Sequence, residues 1–206
     1  MIGVVDFGSG NTRSVLRALS FVGEPARLLR STDELDGCDR LVLPGVGAAG
    51  SAMQRLTGSG MTLRLRDWAA NGRPLLGICL GAQLLLDSSE EDDAPGLGLV
   101  HGVCRRFPSA ADGGPARIPH TGWNRVALAG GGFDAYFVHS YWLDPTEPEV
   151  VVGWTDADGF RFPSMLRSGA VVGTQFHPEK SGAAGRALLA AWAQGRLDPV
   201  AVPAWS

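Results

Sequence analysis

The amino-acid sequence predicts an α/β fold whose central sheet is mostly parallel, is flanked by helices, and has an antiparallel portion in its second half. In the first half, short apolar runs alternate with segments of helical periodicity, an order typical of parallel strands joined by right-handed crossovers. The second half is a series of strand-like runs between Gly, Pro and Asp turns, which indicates antiparallel pairing. The length of 206 residues fits one domain. We therefore expect a single domain over 1–206, with a tail at 196–206 to which no role is assigned.

The first half is predicted to contain four strands, each followed by a turn or a helix. In the first helix, Val15, Leu16, Leu19 and Val22 recur at the spacing of one helical face. The predicted strands are 2–6, 26–29, 40–43 and 74–78. The predicted helices are 12–22, 51–56, 62–71 and 80–88.

The second half is predicted to consist of short strands followed by a single helix. Each strand is bounded by Gly, Pro or Asp, the residues that favour turns. The final helix is rich in Ala and Leu, which favour helix. The predicted strands are 97–100, 103–107, 124–128, 135–139, 150–154, 162–166 and 171–176, and the helix is 183–194.

Composition excludes several classes of protein. The net charge of -3 argues against nucleic-acid binding, which usually requires a basic surplus. Cys38, Cys79 and Cys104 form no CxxC pair, so neither a disulfide framework nor a zinc site is indicated. No apolar run approaches the ~18–20 residues that span a bilayer, and the N-terminus lacks the pattern of a signal peptide. We expect a cytoplasmic protein with no metal, no cofactor and no nucleic-acid or membrane partner.

A candidate nucleophile lies in the sequence GICLG at 77–81. The cysteine follows a predicted strand and opens a predicted helix, the setting of a nucleophile elbow with Cys79 in place of serine. Flanking glycines permit the tight turn that lifts the sulfur above the sheet edge, and the helix N-terminus favours a thiolate. The alternative is a structural cysteine buried at a strand end. That alternative is the better interpretation of Cys38 and Cys104, which lack this context.

A candidate base lies in the sequence His177-Pro178-Glu179, directly after a predicted strand. Pro178 biases His177 toward an extended conformation, in which residues two apart point the same way. Glu179 can then accept the ring N–H of His177 and fix the tautomer that leaves the other nitrogen facing a thiol. The alternative is a surface loop with an acid beside a histidine by chance.

A candidate oxyanion site is formed by Gly45, Val46 and Gly47, which follow the third predicted strand. Their backbone N–H groups can face the same sheet edge as the cysteine and, with the N–H of Leu80, can stabilise a negatively charged oxygen. The alternative is an ordinary strand-to-helix turn, which is the better interpretation of this motif taken alone.

Together these motifs resemble those of the class I (triad-type) glutamine amidotransferases, and the resemblance covers essentially the whole chain. Three further segments sharpen it: PHTGWN at 119–124, YFVHSY at 136–141 and TQFHPEKSG at 174–182. They are similar to segments of the glutaminase subunits of imidazole glycerol phosphate synthase, in histidine biosynthesis. The resemblance implies the flavodoxin-like fold of class I glutamine amidotransferases.

The resemblance also implies an activity. Cys79 attacks the side-chain amide of glutamine and forms a thioester, His177 transfers the protons, and Glu179 orients His177. The oxyanion and substrate-binding residues it implies are Gly45, Val46, Gly47, Leu80 and Gln83. The implied interface or channel residues are Asn11, Trp123, Asn124, Tyr136, His139 and Lys180, the only lysine of the chain. For the aromatic and histidine members of this last group, the alternative is an ordinary core role.

The resemblance implies a partner as well. A chain of 206 residues is filled by the glutaminase fold, so we expect a heterodimer with a barrel-type cyclase subunit that receives the ammonia. Ala82 and Thr121 depart from the residues usual in the family and leave open which synthase is served. The alternatives are a paralogous subunit that supplies ammonia to another acceptor, for example in sugar amidation, a freestanding γ-glutamyl hydrolase, and a non-catalytic interaction subunit.

Overall fold

The computed structural model describes residues 1–8 and 10–197. The predicted tail at 196–206 therefore lies, from 198 onward, outside the described residues. Within the described part, no helix is long and apolar enough to cross a membrane. The α-helices are α1 (Thr12–Phe21), α2 (Ala49–Gly58), α3 (Met61–Ala70), α4 (Leu80–Gln83) and α5 (Gly182–Ala193). Short 3-10 helices cover Thr32–Gly37, Ala110–Asp112, Pro148–Val150 and Pro178–Lys180.

Thirteen strands are found in the described residues, and nine of them form one sheet in the order β2-β1-β3-β4-β13-β12-β11-β8-β9. The other four form a small sheet in the order β10-β7-β5-β6. The strands are β1 (Ile2–Val5), β2 (Ala26–Leu29), β3 (Arg40–Gly45), β4 (Leu75–Cys79), β5 (Ser88–Ser89), β6 (Ala94–Pro95), β7 (Gly102–Arg106), β8 (His120–Leu128), β9 (Gly131–His139), β10 (Tyr141–Pro145), β11 (Val151–Ala157), β12 (Phe160–Ser168) and β13 (Val171–Thr174).

The large sheet is mixed, which confirms an α/β fold with an antiparallel portion. The five strands from β2 to β13 pair in parallel, and the four from β12 to β9 pair antiparallel. Strand β13 differs from the prediction, which grouped it with the antiparallel strands, because it also lies parallel to β4. Its four residues are all buried, as expected of a strand covered on both faces.

Two apolar cores lie on the two faces of the parallel strands. Alternate residues of one strand belong to different cores, as the two-residue period of a strand requires: Leu41 and Leu43 pack into one, and Val42 into the other. Helices α2 and α3 cover the first core, and α1 and α5 cover the second. This arrangement leaves the carboxyl ends of β3, β4 and β13 together at one edge of the sheet.

The segment after β4 departs from the predicted helix at 80–88. Helix α4 ends at Gln83, because the backbone carbonyls of 84–86 accept hydrogen bonds from the N–H groups of 97–100 instead of continuing the helix. The same bonds explain why the predicted strand at 97–100 is absent: its donors pair with a loop and not with a strand. The other predicted helices and strands are found, with ends shifted by up to four residues.

Strand β3 extends two residues beyond its predicted end at Leu43. Pro44 and Gly45 pair with Ile78 and Cys79, so the sheet continues to the cysteine itself. Strands β5, β6 and β10 were not predicted. The first two contain two residues each, which is too short to show a periodic pattern. Strand β10 follows β9 with a single residue between them, so no turn signal separates these two strands.

Replacing Gly81 by alanine should lower the free energy of unfolding by about 3 kcal/mol, because overpacking costs up to that much where the backbone must move. A Cβ at Gly81 would lie 1.7 Å from the carbonyl oxygen of Leu43, since α4 begins directly against β3. Gly58→Ala, in the open at the end of α2, is the control and should change stability by no more than about 1 kcal/mol. Denaturant unfolding of both variants measures the difference. Equal stability of the two would show that β3 and α4 are not in close contact.

Candidate active site

The candidate nucleophile and base lie side by side at the carboxyl edge of the parallel strands. Cys79 is the last residue of β4, and His177 follows β13, the parallel neighbour of β4. In open α/β sheets this edge is where ligands bind. Ile78 is paired with Thr174, so the two chains leave the sheet at the same level and bring the cysteine and the histidine together.

Cys79 has the backbone strain expected of a nucleophile elbow. Its φ of 54° and ψ of -109° lie in a region that residues with a Cβ rarely adopt. The side chain is buried, and Sγ lies 3.8 Å from the carbonyl oxygen of Val138 and 3.9 Å from Nε2 of Gln175. Such a strained turn, with the cysteine directly before a helix, is typical of a catalytic nucleophile and not of a cysteine that only packs in the core.

His177 and Glu179 form a fully buried pair. Nδ1 of His177 lies 2.8 Å from Oε1 of Glu179, and both side chains are 0% exposed. The same oxygen accepts a hydrogen bond of 3.2 Å from Nδ2 of Asn11. Because a carboxylate only accepts, Nδ1 carries the hydrogen and Nε2 is left for a second partner. Among the described residues Nε2 has no aligned hydrogen bond.

The surroundings of His177 favour its protonated form. Burial lowers the pKa of the ring, but Cys79 and Glu179 outweigh burial and raise the pKa to about 9. Nε2 of His177 has no aligned hydrogen bond, so the effect of Cys79 on the ring comes from its proximity. Both neighbours favour a positively charged ring. The arrangement can therefore hold a proton on the ring next to a sulfur and release it to a reacting group.

A cavity of about 400 Å³ opens beside Cys79. Its volume is within the range of small-molecule sites. Gly47, with a φ of +106°, can adopt this conformation because it lacks a side chain. Gly45 lies so close to Leu80 that an added Cβ would approach its Cβ to 2.9 Å. Four of the residues that were predicted to bind substrate or an oxyanion line this cavity: Val46, Gly47, Leu80 and Gln83. Glu91, which was not predicted, lines it as well.

Gln83 and Gln175 form a buried pair of amides behind the cavity. Nε2 of Gln83 donates to the carbonyl oxygen of Tyr141 at 3.1 Å and to Oε1 of Gln175 at 3.2 Å. Both hydrogens of that amide are thereby used, and Oε1 is the atom of Gln83 that a ligand can use. Gln175 was not among the predicted site residues. A buried glutamine two positions before His177 was the available signal, since alternate residues of an extended chain share a side.

Glu91 was also not predicted as a site residue, although it lines the cavity. Its Oε2 accepts a hydrogen bond of 2.8 Å from the N–H of Ala49, at the start of α2. Burial raises the pKa of this carboxyl group, and the bond from Ala49 opposes that effect. In the sequence Glu91 lies in a run of four acidic residues at 90–93. Such a run normally indicates a solvated loop, so the sequence alone gives no sign that Glu91 faces a cavity.

The six predicted interface or channel residues separate into two groups. Trp123, Tyr136 and Lys180 form a surface cluster, here called the aromatic patch: the two rings are 6.2 Å apart, Nζ of Lys180 is 5.8 Å from the Tyr136 ring, and Trp123 is 59% exposed. The others form contacts within the chain. Asn11 contacts Glu179, and Asn124 and His139 each bond to His120. Within 1–8 and 10–197, no group of His, Cys, Asp and Glu could hold a metal ion.

Comparisons with known proteins show what the sequence and the fold of this chain are similar to. A family model described as "Glutamine amidotransferase class-I" matches residues 3–193. A relative from Streptococcus sanguinis, named "Imidazole glycerol phosphate synthase subunit HisH", is 46% identical over 92% of this chain and 93% of its own length. A relative of the same name from Geobacillus kaustophilus is 44% identical over 92% and 94%. A crystal structure titled as a glutamine amidotransferase superposes with a TM-score of 0.76 at 23% identity, covering 94% of this chain and 98% of its own, which shows the shared fold.

Proposed function

The chain belongs to the class-I glutamine amidotransferase family, and from this premise we propose that it is the glutaminase subunit of an imidazole glycerol phosphate synthase in histidine biosynthesis. The observation that carries the glutaminase chemistry is the convergence of Cys79, His177 and the cavity on one sheet edge. The choice of synthase rests on relatives of 40–48% identity that share that name.

The first half of the reaction forms a thioester. Glutamine occupies the cavity with its side-chain amide carbon against Sγ of Cys79, and the sulfur attacks that carbon. The ring of His177, held in its protonated form by its neighbours, gives a proton to the amide nitrogen as the carbon–nitrogen bond breaks. Ammonia leaves and a γ-glutamyl thioester remains on Cys79.

The second half of the reaction consumes the thioester. His177, now neutral, removes a proton from water, and the hydroxyl oxygen attacks the thioester carbon. The sulfur leaves, glutamate is released, and His177 is again protonated beside the thiolate. Glu179 keeps its bond to Nδ1 throughout and thereby presents Nε2 to the reacting atoms. We propose that Asn11 holds Glu179 in this orientation through its bond to Oε1.

The cavity supplies groups of the required polarity. The N–H of Leu80 and those of the loop Gly45–Gly47 are proposed to stabilise the oxyanion of both tetrahedral intermediates. Glycine at 47 permits rotation of the adjoining peptide, so this loop can present or withdraw its donors. Oε1 of Gln83 and the carboxylate of Glu91 are acceptors on the cavity wall, and we propose that they bind the α-ammonium group of glutamine.

The product requires an acceptor subunit. Ammonia released into neutral water becomes ammonium and loses its nucleophilicity, so direct delivery is expected. We propose that 1–206 form a single glutamine amidotransferase domain that pairs, in the cytoplasm, with a barrel-type cyclase subunit as a heterodimer whose joint reaction is that of a lyase. The exposed aromatic patch is the proposed contact surface, with Lys180 pairing with an acidic residue of the cyclase.

Co-expression with a barrel-type cyclase from the same genome tests the proposal. The two chains should copurify, Lys180→Ala should weaken that association, and the phosphorylated ribulosyl-formimino nucleotide of the imidazole pathway should stimulate glutamate release. Turnover that the nucleotide leaves unchanged would remove the histidine-pathway assignment and favour a paralogous synthase. Strong turnover by the chain alone would instead indicate a freestanding hydrolase.

A further inference from the structure

Two histidines that the proposed reaction does not use connect strand β8 to the wall of the cavity. Nδ2 of Asn124 lies 3.1 Å from Nε2 of His120. Nδ1 of His120 lies 3.1 Å from Nε2 of His139, directly across the β8–β9 pair. Nδ1 of His139 lies 2.7 Å from the carbonyl oxygen of Tyr141. Three polar contacts in a row thus run from Asn124 on β8 to Tyr141, a residue that lines the cavity.

A single arrangement of hydrogens satisfies this row. The carbonyl of Tyr141 can only accept, so Nδ1 of His139 donates and Nε2 of the same neutral ring accepts. Nδ1 of His120 must then donate, and its Nε2 accepts from the amide of Asn124. The amide is held in this orientation because its Nδ2 also donates to the carbonyl oxygen of Asp156 at 2.8 Å. Each hydrogen bond of the row is therefore donated in the direction from Asn124 toward Tyr141. This arrangement requires both histidine rings to be neutral.

The environment keeps both rings neutral. Three phenylalanines enclose them, with ring centroids 5.0–6.5 Å away: Phe107, Phe137 and Phe162. Burial lowers the pKa of His139 to about 3 against the bond to Tyr141, and burial lowers the pKa of His120 against the charge of Asp158. The row is consequently intact throughout the neutral range of pH.

The bond from His139 acts on the part of the chain that forms the cavity wall. It joins a side chain to the carbonyl two residues later, across the connection at Ser140 between β9 and β10. Residues 138–141 all line the cavity. The carbonyl oxygen of Tyr141 also accepts from Gln83, so it fixes the amide whose Oε1 is proposed to bind glutamine.

We propose that His120 and His139 are positioning residues for glutamine: His139 sets the cavity wall and the orientation of Gln83, and His120 acts through His139. The identity of the ligand rests on the proposed function. Without the donor from His120, Nε2 of His139 loses its partner, and the ring is free to turn and release Tyr141. The expected result is weaker glutamine binding with little change in the chemical step.

Two substitutions separate positioning from packing. In His120→Asn the amide nitrogen takes the place of Nδ1 and keeps the donor to His139, but leaves space among the phenylalanines. In His120→Phe the space is filled and the donor is lost. Positioning therefore predicts a larger KM for His120→Phe, by about tenfold over wild type because a buried acceptor is left unpaired. Packing predicts that His120→Asn is the more damaged variant.

The measurement is KM and kcat for glutamine in the complex with the cyclase subunit and its nucleotide, with the melting temperature of each variant. Phe160→Leu, which alters the same aromatic cluster through Phe107 without touching the row, is the control and should leave KM near wild type. If His120→Phe does not fold, His120→Gln replaces it, since its amide reaches the position of Nε2 and also lacks the donor to His139.

The outcomes are distinct. A KM that rises from wild type to His120→Asn to the variant without the donor supports the proposal. An unchanged KM, or a KM order that follows the melting temperatures, overturns it while the active wild-type complex upholds the glutaminase function. A wild-type complex that does not release glutamate from glutamine overturns the proposed function and this inference with it.

Discussion

Replacing Cys79 by alanine should lower kcat for glutamine hydrolysis by about a thousandfold or more, because covalent catalysis is lost with its nucleophile. The proposed thioester cannot form without the sulfur, and no other cysteine of the chain is at the cavity: Cys38 and Cys104 do not line it. The variant should still bind glutamine, since Gln83 and Glu91 remain. Glutamate release measured with the cyclase partner and its nucleotide gives the loss.

The matched control is Cys104→Ala. Cys104 is fully buried, and burial raises the pKa of its thiol well above the usual range, so it is inert at neutral pH. This variant should keep near wild-type turnover. An electrophilic glutamine analogue should add its mass to the wild-type chain at Cys79 and should not add it to Cys79→Ala. Equal labelling of the two chains, or turnover retained by Cys79→Ala, would show that the chain is a non-catalytic subunit.

Sequence reasoning predicted the parts of the fold whose structure is determined by residues close to one another in the sequence. Helix α1 was predicted to within a residue because its buried apolar residues recur at helical spacing along the segment. Helix α4 was predicted too long because its end is decided by hydrogen bonds to 97–100, which no local pattern shows. The parallel pairing of β13 with β4 likewise depends on a neighbour about a hundred residues away in sequence.

The same distinction holds for the candidate site. Cys79, His177 and Glu179 could be proposed from the sequence because each stands in a local context that restricts where its side chain points. For Cys79 the context is a strand end between two glycines, and for His177 and Glu179 it is an extended segment through Pro178. Gln175 and Glu91 were missed because their roles depend on contacts with residues distant in sequence. A polar residue with a partner on a distant segment can bind a ligand or only form a hydrogen bond within the chain. The sequence looks the same in both cases.

Replacing Glu179 by glutamine should lower kcat/KM for glutamine by about a hundredfold to ten-thousandfold, the usual contribution of a positioned acid–base group. Oε1 of the glutamine can still accept the hydrogen of Nδ1, so the ring of His177 keeps its orientation while the negative charge is lost. The remaining activity should therefore differ from wild type in its pH dependence as well as in its size.

The direction of that change follows from the pKa of His177. In the wild-type chain Cys79 and Glu179 raise it to about 9, so the alkaline limb of kcat/KM should lie near that pH and belong to the cysteine–histidine pair. Removing the charge of Glu179 withdraws one of the two stabilising partners. The pKa should then fall toward the ordinary value of His, and activity should decline from a lower pH than in wild type.

Glu91→Gln separates this effect from a general loss of negative charge near the cavity. Glu91 lines the cavity but is bonded to Ala49 and not to His177, so its replacement should raise KM and leave the alkaline limb in place. A pH profile of kcat/KM for the three chains, each with the cyclase partner, makes the comparison. If the limb of Glu179→Gln coincides with that of wild type, Glu179 orients the ring without setting its charge; if the limb moves to lower pH, the buried carboxylate is what keeps His177 protonated for the departure of ammonia.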